Sequence, residues 1–396
     1  MSKTRLHITI FDGSLKTTTF INRLIEGLSE HHQVSVFGFT ENLKEPIPGV
    51  RYVALGSAAA KFRLAQLGVV FASKALFRLG SLSLFLKSLG LLLRFRKKAL
   101  QQHHFDIAIA LHRPDIVHVQ WPSLLPWCEG VLEHPTIKVV LSQRGYQNNV
   151  RPFVTEENRN YLKKMYPKID GFHSVSKAMV QVGNTIFNSA DKVNAVVYSG
   201  FDLEGLPFNY NYSRNPKLKI ISIGRPHWKK GYSYALRAMQ FFKNANIPFQ
   251  YTIIGAKGDE ELEYLLNVYE IKEAVQLLPK VSQQEVYDLL RKSDVFLLPS
   301  LEEGLPNVMI EAMALGIPVI ATDCGGVSEL LDETTGSIVP TRNPKAMAEA
   351  ISTFYTAPIA DIDIQRALAR KRVEMKHTAT QMVKDMEALY FEVLDH

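Results

Sequence analysis

Short apolar runs alternate with helical patterns along this chain; the alternation stops once and then restarts. In the first half "LHITIF" (Leu6–Phe11), "HQVSVFGF" (His32–Phe39), "DIVHVQW" (Asp115–Trp121) and "IKVVLS" (Ile137–Ser142) read as strands. "GFHSVS" and "VNAVVYSG" read as two more, and Thr18–Leu28 as a helix. Near-continuous apolar runs mark strands covered on both faces, as in parallel sheets. A stretch rich in Gly, Pro, Asn and Tyr follows, Gly200–Lys217, with the composition of a linker. The pattern then resumes with "LKIISIG", "FQYTIIG", "AVQLLP", "DVFLLPS" and "PVIAT" as strands, separated by helical segments. One of these, "SQQEVYDLLRKS", opens with Ser282 and Glu285 at capping-box spacing. The chain of 396 residues is long enough for two such α/β domains, each doubly wound around its own core. Met382, Met386, Leu389, Tyr390 and Val393 form an apolar stripe on a terminal helix.

Charge is distributed unevenly. Ten Lys or Arg and no Asp or Glu lie between Pro46 and Phe105, while 36 basic and 39 acidic residues make up the rest. The basic character thus belongs to one segment, centred on residues 58–100, which reads as two helices divided near Gly80 and Ser81. Arg63, Lys74 and Arg78 fall on one helical face, and Lys87, Arg94 and Lys98 on another. Its uncharged runs stop well short of the roughly 18–20 residues a bilayer span needs. Two readings stand side by side: helices lying on an anionic membrane surface, or helices covering a sheet with solvated cations. No nucleic-acid motif accompanies the charge. Cys128 and Cys324 follow no metal-ligand spacing. Neither a disulfide framework nor an export signal in "MSKTRLHITIF" is evident, so a cytoplasmic compartment is expected.

Chemistry-bearing residues gather in "LPSLEEGLPNVMIEAMALGIPVIATDCGGVSE", Leu298–Glu329. Glu303 belongs to a loop after a strand, and Glu311 to a helix that Pro306 opens and Gly316 with Pro318 ends. Val308, Met309, Ala312 and Met313 form its buried face; Glu311 lies outside that arc, on the flank of Asn307. Gly325 and Gly326 precede a second helix start. Helix N-termini favour anions, and carboxylates accept from sugar hydroxyls, so a phosphate-bearing sugar suits the pattern. Upstream, "IISIGRPHWKKGY" presents Arg225 and Lys230, with Lys229 as the rival cation, to phosphate oxygens. "DID" at Asp361–Asp363 follows no strand and reads as surface loop.

Together these stretches resemble the retaining glycosyltransferases of the GT-B fold, and among them glycosyltransferase family 4 (group 1). The fold implied is α/β, with two Rossmann-like doubly wound domains facing a deep interdomain cleft. Residues 1–200 would bind the acceptor, 201–376 would bind the donor, and 377–396 would be a helix returning toward the N-terminal domain. The resemblance implies that Arg225 and Lys230 neutralise the leaving diphosphate in place of a metal, so no cofactor and no metal site are expected. It implies that Glu303 holds the donor sugar, helped by backbone N–H groups of Gly304 and Leu305 at the turn leading into Pro306 and Asn307. Glu311 would bind the ribose, backbone near Lys280 and Val281 the base, Gly13 the phosphates, and His118 would stand beside the donor sugar. Gln120 stands where the family often has a second histidine, and Lys280 where it often has glycine. Arg144, in "SQRGYQ", reads either as an acceptor contact or as surface.

The activity implied is a metal-independent, retaining hexosyl transfer from a nucleotide-diphosphate sugar. The acceptor would be a carbohydrate or lipid-linked, in cell-envelope polysaccharide or glycolipid assembly, with the protein peripheral at the inner face of the membrane. The alternative is a non-catalytic, membrane-surface nucleotide-sugar-binding protein. No nucleic-acid partner is expected.

Overall fold

The computed structural model describes residues 5–39, 46–57 and 60–396. The first residues of the stretch read for export, and the two that open segment 58–100, lie outside them. Two compact units emerge. Residues up to Val175, with Met179–Gly200 and Ala379–His396, form the first; Ser176–Ala178 and Phe201–Thr378 form the second. The chain passes from the first unit to the second after Gly200, and the terminal helix Ala379–Asp395 belongs to the first unit.

The first unit is built on a seven-stranded, all-parallel sheet: β1 (His7–Ser14), β2 (Gln33–Phe39), β3 (Arg51–Ala54), β4 (Ile116–Val119), β5 (Lys138–Gln143), β6 (Gly171–Ser174) and β7 (Val193–Val196). Their spatial order is β3-β2-β1-β4-β5-β6-β7. The apolar strands carry helices on both faces. Phe37, Phe71, Phe105 and Phe172 fill one side, while Ile21, Leu24 and Leu28 meet Met386, Leu389 and Tyr390 of the terminal helix on the other.

The second unit repeats the design with β8 (Leu218–Ile223), β9 (Phe249–Ile254), β10 (Val275–Leu278), β11 (Val295–Leu298), β12 (Val319–Thr322) and β13 (Ser337–Val339). Their order is β10-β9-β8-β11-β12-β13, again all parallel. Buried Asp294 pins the end of the linker: it accepts from the Asn215 and Lys219 backbone N–H groups at 2.9 and 2.7 Å. The Ser282–Glu285 capping box forms as its spacing predicts and starts the helix Gln283–Arg291.

Three readings change. Asp361–Asp363 is not a loop but the start of the helix Ile359–Lys376, where Asp363 pairs with buried Arg366 one turn on. Pro306 precedes the helix Asn307–Leu315 as its cap residue rather than opening its first turn. Lys98 is not on the helix of Lys87: that helix, Leu82–Leu93, ends before Arg94, and Lys98 starts the next, Lys97–His112.

Candidate active site

In an open parallel sheet, ligands collect outside the carboxyl ends of the strands at the point where strand order reverses. In the second unit that point lies between β8 and β11. The two loops leaving it are those the sequence marks out: Gly224–Gly231 after β8 and Pro299–Pro306 after β11.

The loops are locked together by backbone contact. Leu301 N–H donates to the Lys229 carbonyl at 2.6 Å. Gly231 adopts φ +62°, and a Cβ there would meet the Pro299 carbonyl oxygen at 2.0 Å, so no other residue fits the approach. That contact brings Lys230 to Glu303: Nζ and Oε1 are 2.6 Å apart, and Ser300 Oγ donates to the same oxygen at 2.8 Å. Both ends of the pair are mostly shielded, with 18% and 10% of their side-chain surface exposed. Of the two candidate lysines, Lys230 makes the ion pair. Lys229 stands nearby with its ammonium held below the ordinary value, first by burial; Glu303 opposes that shift, while Lys230 and Arg225 add to it. Arg225 is exposed at the start of the loop after β8 and takes part in no ion pair among the described residues.

The third loop, after β12, supports the second. Gly325 has φ +54°, and a Cβ there would lie 1.9 Å from the Glu303 carbonyl oxygen. Gly326 N–H donates to the Gly304 carbonyl at 3.0 Å. The paired glycines therefore act on protein backbone, holding Glu303 and Gly304 in place. The helix after them, Val327–Leu330, is a single turn, shorter than the expected second helix start. Leu305 lies half-buried in the same turn, and Pro306 is buried.

Glu311 is buried, not on an open flank, and Val308 is only half-buried. The Glu311 Oε1 accepts from Gln283 Nε2 at 3.1 Å and from the Tyr287 hydroxyl at 3.3 Å. Those partners sit one turn apart on a helix the capping box anchors; the i,i+4 spacing is the only sequence signal that could have found them. Asn307 Oδ1 is buried and has no hydrogen-bond partner among the described residues. Lys280 is exposed and Val281 half-buried, just past the carboxyl end of edge strand β10.

The corresponding point of the first unit, between β1 and β4, holds the remaining residues. Gly13 stands at a register shift near the end of β1. Beside it the half-buried Asp12 carboxylate accepts from Trp121 Nε1 at 2.6 Å, and desolvation raises its pKa to about 6. His118 on β4 is fully buried with both ring nitrogens engaged, by the Tyr390 hydroxyl and by Ser142 Oγ, each at 2.7 Å. Ser142 continues the chain to His173 Nδ1 at 2.7 Å. Arg144 is neither an open surface residue nor fully satisfied. It donates to Gln120 Oε1 at 3.1 Å and lies over the Phe20 ring, while its Nε has no partner among the described residues.

Residues 210–373 match the protein family described as Glycosyl transferases group 1. The amylovoran biosynthesis glycosyltransferase AmsK of Erwinia amylovora is 32% identical over 233 residues, covering 57% of this chain and 56% of that protein. The chain spans about half the length of the curated relatives it matches. Among solved structures, sucrose-phosphate synthase from Thermosynechococcus elongatus aligns with a TM-score of 0.74 at 17% identity, covering 99% of this chain and 100% of that one. Anabaena HepE in complex with UDP and glucose aligns at 0.72 and 14% identity, covering 98% and 100%. The likeness establishes the fold: two Rossmann-like units of the GT-B type.

Proposed function

We propose, from a chain whose residues 210–373 form a glycosyltransferase group 1 domain, that this protein transfers a hexose from a nucleoside-diphosphate sugar to a carbohydrate or lipid-linked acceptor. The acceptor class is argued from AmsK, whose name assigns it to amylovoran biosynthesis. The observation that carries the reading is the Lys230–Glu303–Ser300 cluster at the reversal point of the second sheet. An ammonium and a carboxylate side by side select a ligand with both an anionic group and hydroxyl donors. The diphosphate of such a donor takes Lys230 and Arg225, while Glu303 accepts from the sugar's hydroxyls. Glu311, which Gln283 and Tyr287 hold by hydrogen bonds, accepts in this reading from a second pair of hydroxyls, those of the ribose.

Transfer then proceeds with retention, by attack on the face the leaving group departs from. The acceptor oxygen bonds to the anomeric carbon as the bond from that carbon to the phosphate oxygen breaks. The acceptor's proton passes to the departing phosphate oxygen. Negative charge grows on the diphosphate, and Lys230 and Arg225 stabilise it without a metal; electrostatic stabilisation of this kind is the largest single contribution in many enzymes. No carboxylate nucleophile is needed, so Glu303 positions and does not attack.

The test is a transfer assay against a panel of nucleoside-diphosphate sugars, with NMR assignment of the product's anomeric configuration and a chelator control. Transfer with retained configuration and full activity in chelator supports the reading. Donor binding without transfer to any acceptor or water would make the protein a binding module, and an inverted product would remove the mechanism.

A further inference from the structure

We infer that the helical hairpin 61–93 of the first unit is a docking surface for an anionic lipid bilayer. The helix Lys61–Phe77 turns Leu64, Phe71, Ala72 and Ala75 inward. Its outer stripe is Phe62, Val69, Val70 and Phe77, with Gln66 and Ser73 between them. Phe62 is 77% exposed and Phe77 81%. The next helix, Leu82–Leu93, fully buries only Ser88 and presents Leu82, Leu86, Leu89 and Leu93 outward, with Leu93 88% exposed. The helices pack closely on each other, Gly68 against Leu92, and both rest on the helix Lys97–His112. His103 of that helix fastens the second one through Ser88 Oγ at 3.0 Å. The outer stripes are therefore the faces turned away from the underlying helix, where a water-facing helix would carry polar residues.

Cations flank both stripes. At about 100° per residue, Arg63, Lys74 and Arg78 lie to one side of the first, and Lys87 and Arg94 to one side of the second. No acid occurs between Pro46 and Phe105. That charge selects the occupant. A second copy of this face would set cation against cation, and a nucleic acid would leave eight exposed Phe, Val and Leu residues without a role. A bilayer rich in anionic phospholipid uses both features: headgroup phosphates meet the cations while the apolar stripe enters the acyl boundary. No helix among the described residues is long and apolar enough to cross a membrane, so the hairpin lies on the surface.

The experiment is co-sedimentation with vesicles of phosphatidylglycerol and phosphatidylcholine, or of phosphatidylcholine alone, at low and high salt. It reads no sugar transfer, so it stands or falls separately from the proposed activity. The wild type should pellet with the anionic vesicles and stay in solution with the neutral ones. Leu86→Ser with Leu93→Ser should weaken partition on the order of 100-fold, since two apolar side chains no longer leave water. Lys87→Ala with Arg94→Ala should weaken it by roughly tenfold or more and flatten the salt dependence. These side chains are exposed, so circular dichroism and melting should match the wild type. Equal recovery with neutral and anionic vesicles would overturn the proposal. So would serine variants that pellet like the wild type, which would leave only attraction to polyanions. Self-association abolished by the same serine changes, with no vesicle binding, would assign the face to a second copy instead.

Discussion

The two sheets reverse their strand order in the same way, yet the polar residues at the two reversal points behave differently. Beyond β8 and β11, Lys230, Glu303 and Ser300 form a cluster with part of its charge open to water and with Arg225 exposed beside it. Beyond β1, and along β4 and β5, polar side chains are turned inward. Asp12 is held by Trp121, Arg144 by Gln120, and His118 by Ser142 and Tyr390. Topology delivers polar residues to the same place in both units. What separates the two groups is whether opposite charges stay partly within reach of solvent.

Removing Lys230 should produce the largest effect. Lys230→Ala leaves Glu303 with Ser300 alone and takes one cation from the developing diphosphate. Loss of a preorganised charge contact of this kind lowers turnover by about 100- to 1,000-fold. Turnover on the best donor, measured beside hydrogen exchange of peptides from β1–β7, checks it; the first unit should be unaffected. Turnover within threefold of the wild type would mean that the cluster, too, is structural.

His118→Ala should do the reverse. It strips partners from Ser142 and Tyr390 inside the core and leaves a cavity, at a cost of about 3 kcal/mol in the first unit. Nucleoside-diphosphate affinity of the second unit should change little. A variant that melts like the wild type but loses turnover would move His118 from the core network to the reaction.

Acid should separate the units as well. Burial holds His118 and His173 well below 6.5, and lowers His7, His103, His104 and His112 as well. A histidine that stays neutral when folded takes its proton only when unfolded. The stability it contributes is complete above pH 6.5 and declines as pH falls below it. Asp12 and Asp106, raised to about 6, act oppositely, because the fold binds their protons first. Six histidines outweigh two aspartates, and the histidine effect begins at higher pH. Between pH 7.5 and 5.5 the first unit should lose stability, on the order of 3–4 kcal/mol. Among the described shifts the second unit has one lowered histidine, His227 in a half-buried loop, and should lose less. Hydrogen exchange resolved by unit, at the two pH values, reads the difference; His118→Ala should make the slope in the first unit shallower.

Much of this contrast was legible before any coordinates. Long strands in parallel sheets are continuous apolar runs, so β1, β2, β5, β8 and β9 stand out. "RYVA" and "SIV", the short outermost strands β3 and β13, do not carry enough period to be seen. The helix Ile359–Lys376 was hidden because its first turn, "IADID", mixes acids with apolar residues behind a proline. Glu303 and Lys230 each stand out in the sequence as candidate site residues, but their pairing does not. They are 73 positions apart and meet only because β11 lies beside β8. Burial of Glu311 escaped notice for a related reason: its cover comes from Gln283 and Tyr287 on another helix, and a single helix's periodicity cannot report what packs on it.

Glu311 also gives a fine test of this contrast, because it is buried like the first unit's network yet is proposed to take part in donor binding. Glu311→Gln keeps the side chain's shape and leaves an oxygen to accept from Tyr287 and Gln283, so the fold should lose no more than about 1 kcal/mol. It removes the negative charge that strengthens hydrogen bonds from ligand hydroxyls. Charged hydrogen bonds exceed neutral ones by roughly 1 kcal/mol, so donor affinity should fall about fivefold. The loss should appear in KM for the nucleotide-sugar and leave kcat nearly unchanged, because the ribose is remote from the bond that breaks. Titration with the nucleoside diphosphate and with its 2′,3′-dideoxy analogue sharpens the result. The wild type should favour the hydroxylated ligand, and the Gln variant should bind the two more equally. If both proteins discriminate alike, Glu311 serves the packing of the helix Gln283–Arg291, and the ligand cluster ends at Glu303.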